Sequence, residues 1–343
     1  MPISKIRLDA ETALLSFAWE QWAQMGILAP SGRSSPWAQD PEALLVFTFE
    51  LARADPRLFD EVLDWLVTNE PLISVRRLRS LSRDPSDKAL TEAVLGWLGQ
   101  HRPKARFSSD AAHEPSGALQ LLHADVGFPI RHPDEAFAEH GWLRPATAAS
   151  GKARPPDLRA PINFAFRIRQ LLGMGARAEV VRLLLTTDAP RTTAAVIAKS
   201  AMYAKRNVQE VLNGLEHAGV VTITSSGNEQ RYGIHREAWG ALLAVDAFPS
   251  HVDWAQLLVA LRRTLRWLRR AAGSDMSEYI TASEARDLLE DVRPDFEYAG
   301  IVVPRRQTSA EAVDDLSYVL KQSLSALQPE GVAPAASQVG PEA

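Results

Sequence analysis

Apolar residues in this chain recur every three to four positions over most of its length, a period that helices can bury and strands cannot. Leu58, Phe59, Val62, Leu63, Leu66 and Val67 form one such stripe, directly after Asp55-Pro56. An aspartate that accepts from the first turn, followed by a proline whose missing N–H is not needed there, is a helix start. Asp40-Pro41 repeats it. Leu44, Leu45, Phe47, Phe49 and Leu51 then surround the helix on nearly all sides, so it must be buried. An earlier helix, Leu14 to Met25, carries Phe17, Trp19 and Trp22, expected in a core. Ser74 to Leu81 reads as a short basic helix with Arg76, Arg77 and Arg79, and Ala89 to Leu98 as another.

With 343 residues the chain exceeds one ordinary core, and 46% hydrophobic with 23% charged residues is the balance of a folded globular protein. The fold class expected is mainly α. A helical N-terminal domain spans 1–144, a linker rich in proline and small residues 145–160, and a second domain 161–245. A helical C-terminal region follows at 246–328, then a disordered tail at 329–343. Between His101 and Trp142 periodicity fades, with short helices expected at Gly117 to His123 and Pro133 to His140. No apolar run reaches the ~18 residues of a membrane span, and Met1-Pro2-Ile3-Ser4-Lys5 does not open like a secretory signal. The absence of cysteine rules out disulfides and thiolate metal sites, and the expected location is the cytoplasm. A net charge of −4 leaves room for a local basic face.

One segment is more specific. A helix at Arg177 to Thr187 ends at Asp188-Ala-Pro190, and Thr192 or Thr193 can cap a second around Val196, Ile197 and Ala198. After a turn near Ala201-Met202-Tyr203, a third runs from Ala204 to His217 and stops at Ala218-Gly219. The β-branched run Val220-Val-Thr-Ile-Thr224, the turn Ser225-Ser-Gly-Asn228 and a returning strand from Glu229 to His235 complete a hairpin. This order, with the ending Leu215-Glu-His-Ala-Gly-Val-Val221, resembles the winged helix-turn-helix superfamily of bacterial regulators over about 65 residues. The resemblance implies that the third helix enters a DNA major groove. At 100° per residue Val208, Val211, Leu212 and Leu215 face the core, opposite Arg206, Glu210 and Asn213. Tyr203 and Gln209 lie at the margins and Lys205 beyond. Arginine suits guanine edges and asparagine or glutamine suits adenine, whereas Lys199, Lys205 and Arg231 are candidates for phosphate. The DNA-binding set is therefore Lys199, Tyr203, Lys205, Arg206, Gln209, Asn213 and Arg231. Winged helices also serve as protein-interaction modules, and that alternative stays open.

Leu257, Leu258, Leu261, Leu265 and Leu268 form an apolar stripe, with Arg262, Arg263, Arg266, Arg269 and Arg270 over the rest. The role favoured for this helix is dimerisation, with DNA-backbone contact or a solvated face as alternatives. No catalytic signature stands out, so the protein is read as a non-enzyme without cofactor or metal. The eight histidines never fall at the i, i+4 spacing of a helical zinc pair. Gly173-Met-Gly175 lacks the third glycine of a dinucleotide loop, and Gly273-Ser274 is not followed by a usable carboxylate pair, Glu284, Asp287, Glu290 and Asp291 reading as a solvated face. The strings Phe17-Ala-Trp-Glu-Gln-Trp22 and Asp55-Pro-Arg-Leu-Phe-Asp-Glu-Val-Leu-Asp-Trp65 more weakly resemble antitoxins encoded beside nucleotidyltransferase-like toxins, of the AbiE type. In that family the winged helix lies near the N-terminus, here centrally. The resemblance implies double-stranded DNA and a toxin-like protein as partners, with a homodimer as the acting form.

Overall fold

The structure, a computed structural model, describes residues 2–30, 34–102, 118–123, 129–189, 191–227, 229–305 and 311–328. It is mainly helical. In chain order come α1 (Ile3–Gln24), α2 (Pro41–Leu51), α3 (Pro56–Asn69), α4 (Val75–Leu81), α5 (Pro85–His101), β1 (Gln120–Leu121), α6 (Glu135–Ala138) and β2 (Trp142–Leu143). Then follow α7 (Phe164–Leu172), α8 (Ala176–Thr186), β3 (Thr192–Thr193), α9 (Ala194–Ala201), α10 (Lys205–His217), β4 (Val221–Ser226), β5 (Glu229–Ile234) and α11 (Arg236–Leu243). The last are α12 (Trp254–Ala272), α13 (Glu278–Tyr298) and α14 (Ala312–Ala326). No helix among the described residues is long and apolar enough to cross a membrane. The tail expected to be disordered, 329–343, lies outside the described residues.

Two compact units form. The first is built within Met1–Gly32, Asp40–Asp157 and Trp254–Leu324, the second within Arg33–Gln39, Leu158–Asp253 and Ser325–Ala343. In the first unit every residue of α2 is buried, as its all-round apolar sequence requires. Asp40 and Asp55 cap α2 and α3, accepting from Ala43 N and Leu58 N at 3.1 and 2.9 Å. Phe17 stacks on Trp254 at 5.6 Å, Trp22 sits edge-on to Trp65, and the Trp22 indole donates to Thr48 Oγ1 at 2.8 Å. The Trp19 indole instead donates to Asp55.

Three expectations need correction here. The helix foreseen at Gly117 to His123 lies partly outside the described residues, and Gln120–Leu121 is a strand, paired in parallel with Trp142–Leu143. Short polar-apolar stretches follow their pairing partner rather than their own period. The segment expected as a linker at 145–160 belongs to the first unit through Asp157. The buried Asp64 carboxylate fastens it, accepting from Gly151 N, Lys152 N and Ala153 N at 2.7, 3.0 and 3.1 Å and from the Ser150 hydroxyl at 3.0 Å.

The third correction concerns α12, three of whose five arginines face inward and are not available as an outer basic face. Arg266 meets Glu50, Asp84 and Asp87, and Arg269 meets Glu11 and Glu50. Arg262, buried, pairs with Asp87 at 2.8 Å. These acids lie on or beside α1, α2 and α5, so Arg262, Arg266 and Arg269 turn into their own unit. Arg77 of α4 is likewise buried between Asp40 and Glu42.

The second unit packs α7, α8, α9 and α10 around Val180, Val181, Leu185, Ile197, Val208 and Leu212. A buried triad crosses its base. Glu179 accepts from Arg169 and Arg182 at 2.7 and 2.9 Å. The sheet order is β3-β5-β4, antiparallel throughout. Tyr232 on the central strand pairs with Thr192 on one side and Ile223 on the other.

Candidate nucleic-acid interface

Thr193 ends β3 and caps α9, its Oγ1 accepting from Val196 N at 3.3 Å. Met202 closes α9 in the left-handed region at φ 57°, and Ala204 begins the next helix without a side-chain cap. The turn sets α10 across α9, and both pack on α8. Gly219 follows α10 at φ 69°, where its N–H meets the Glu216 carbonyl and that of Val220 meets Leu215.

Helical period divides α10 cleanly. Val208, Leu212 and Leu215 are buried, and Lys205, Arg206, Glu210 and Asn213 are exposed. Arg206 and Glu210 pair at 3.1 Å, an exposed i, i+4 contact of small energy that leaves the guanidinium free to exchange partners. Lys199 is exposed on α9. Tyr203 is half-buried and its ring packs partly against the core, so it contributes less outward surface than the sequence suggests. Arg231 is exposed on β5 and bonded to Glu229. Alternation along the strand puts it on the sheet face opposite Tyr232, apart from the α10 residues.

Gln209 is half-buried and engaged. Its Nε2 donates to Asn213 Oδ1 at 2.9 Å and to the Tyr232 hydroxyl at 2.7 Å. The Tyr232 hydroxyl in turn donates to Gln230 Oε1 at 2.9 Å. Sequence reasoning missed Tyr232 and Gln230, because the contact depends on strand register and not on any local pattern. The only sequence signal was the buried tyrosine position in an otherwise polar strand, whose hydroxyl must find a partner.

Behind α9, Ser200 Oγ donates to Asp253 at 2.5 Å, and His251 Nε2 lies 3.1 Å from the same carboxylate oxygen. Burial pushes the Asp253 pKa up, but His251, Ser200 and Arg182 together hold it below the ordinary value. Serine and histidine thus share one acceptor. A nucleophilic triad needs the histidine between hydroxyl and carboxylate, so this cluster anchors α9 and does not activate Ser200. Among the described residues no group of three or more histidines and carboxylates could hold a metal ion.

In the first unit a groove of about 750 Å³ lies along α12 and α13. Arg270 pairs with Glu284 and Arg263 with Asp291 across it, while Asp287, Glu290 and Asp291 are exposed, as a solvated face requires. No family model, curated protein or solved structure matches this chain.

Proposed function

We propose that the second unit is a winged helix-turn-helix and that the chain is a sequence-specific DNA-binding transcriptional regulator, with α10 as the recognition helix. One observation carries the reading: the polar side of α10 faces solvent while its valines and leucines hold it to the body. The order helix, short strand, helix, helix, hairpin supports it, as does a sheet in which the first strand pairs with the last. Arg206 and Asn213 are the base-reading candidates, and Lys199 and Lys205 the phosphate-binding ones. Two copies reading half-sites one DNA turn apart would give the specificity a single helix lacks.

The test is selection from a random duplex library with the full chain, followed by titration of the winning duplex at 50 to 200 mM salt, where affinity falls about tenfold or more if several phosphates are neutralised. Arg206→Ala is expected to reduce the gap between selected and random duplex, and Lys199→Ala to weaken both equally. Equal losses in both variants contradict the division of roles. A second reading rests on Glu210 amid the exposed face: α10 could dock a partner protein, as in an antitoxin. A stable protein complex with no salt-dependent duplex binding favours that reading.

A further inference from the structure

The four side chains Gln230, Tyr232, Gln209 and Asn213 form one directed hydrogen-bond chain from the β5 strand to the outer face of α10. A phenol has a single proton. In Tyr232, only 1% exposed, that proton goes to Gln230 Oε1, so the oxygen accepts from Gln209 Nε2. The second N–H of Gln209 goes to Asn213 Oδ1. With one lone pair of its Oδ1 engaged by Gln209, that oxygen is held toward residue 209, and the exposed Asn213 presents its Nδ2 protons away from it. Arg206, seven residues earlier and about 10 Å along the same stripe, can offer only donors.

Bases in the major groove are told apart by donor and acceptor pattern. Guanine presents two acceptors, N7 and O6, and thymine one, O4, whereas adenine sets an amino donor beside its one acceptor, N7, and cytosine presents an amino donor alone. Resting on the DNA-binding reading above, we propose that Tyr232 is a positioning residue for specificity. Acting through Gln209, it fixes the Asn213 amide so that α10 selects an acceptor edge, guanine first, instead of the adenine that an unrestrained asparagine suits. Tyr232 itself touches no base.

The test compares the full-length wild type, Tyr232→Phe and Gln209→Leu. Each is passed through the same random duplex selection, then titrated by fluorescence anisotropy against the wild-type duplex and its single-base variants. The position read by Asn213 is identified as the one that loses preference in Asn213→Ala. The wild type is expected to prefer guanine there by about tenfold over adenine, falling to about threefold or less in both network variants. Preference opposite Arg206 should stay intact, which a general loss of folding would not allow. Side-chain amide NMR of the free protein supplies a readout without DNA, since the Gln209 and Asn213 amide signals should shift in Tyr232→Phe. Adenine preferred by the wild type, a base profile unchanged by Tyr232→Phe, or unmoved amide signals each overturn this proposal alone. Failure of the wild type to select any duplex overturns the DNA reading, and this proposal with it.

Discussion

Asp64 shows how one carboxylate can organise a segment that composition marks as loose. Burial pushes its pKa up, but hydrogen bonds from Gly151, Ser150, Ala153 and Lys152 outweigh that and hold it below the ordinary carboxylate value. A depressed folded-state pKa means stability that is complete above the unfolded value, about 3.9, and is lost as pH falls through the folded one. Asp64→Asn replaces a charged acceptor by a group that also donates, towards three backbone N–H groups. It should cost roughly 2–3 kcal/mol at neutral pH. The gap between wild type and variant should narrow steadily below about pH 4. Urea unfolding across pH 7 to 3 measures this directly, and a gap that does not depend on pH removes the charge from the explanation. Proteolysis at Lys152 should also quicken in the variant at neutral pH, because the backbone bonds that shield it are released.

At the scale of elements, two glycines of the α10 region test whether the helix ends where its geometry says. Gly214 lies inside the helix with open space around a would-be Cβ, and Gly219 lies just after it at φ 69° with equally open space. Neither substitution meets a clash, so only backbone conformation decides. Gly214→Ala should stabilise by about 0.5–1 kcal/mol, and Gly219→Ala should destabilise by about 1–2 kcal/mol. Thermal melts of the full chain followed by circular dichroism should move in opposite directions, and a shared sign would move the helix end elsewhere. This end was legible in the sequence, as were the caps at Asp40 and Asp55, the cap of α9 as Thr192 or Thr193, and the buried and exposed faces of α10, because each rests on residues within a few positions. The strand β3 was not, since two threonines before a helix read as a cap and their pairing with β5 is remote in sequence. The hydrogen bond from Gln209 to Tyr232 escaped for the same reason, at a separation of 23 residues. Arg77, read as one of three arginines on a short basic helix, is buried because its two carboxylates come from residues 35 and 37 positions earlier.

For the whole molecule, the first unit is assembled from both sides of the second in the chain. Helix α12 reaches back to α1 and α2, and its Arg262, Arg266 and Arg269 meet acids 175 to 258 residues earlier. The stripe of leucines predicts burial of one side of α12, but a cationic flank looks the same in sequence whether it faces water or a distant acid. In the fold Glu50 and Asp87 are buried with Arg266 between them, and removing that arginine leaves each carboxylate one cation short, Glu50 held by Arg269 and Asp87 by Arg262. Arg266→Met should therefore cost about 2–3 kcal/mol, less than the ~3–5 kcal/mol of a buried charge left with no partner and beyond the ~1 kcal/mol of an exposed pair. Adding Glu50→Gln should recover part of the loss, because one of the two under-compensated charges is then gone, and the double-mutant cycle gives the coupling. Seven of the nine tryptophans, Trp22, Trp65, Trp97 and Trp254 buried among them, lie in this unit, so tryptophan emission in urea reports mainly on it. A loss below 1 kcal/mol, or strict additivity with Glu50→Gln, would mean that these ion pairs decorate the packing of α12 and do not hold it.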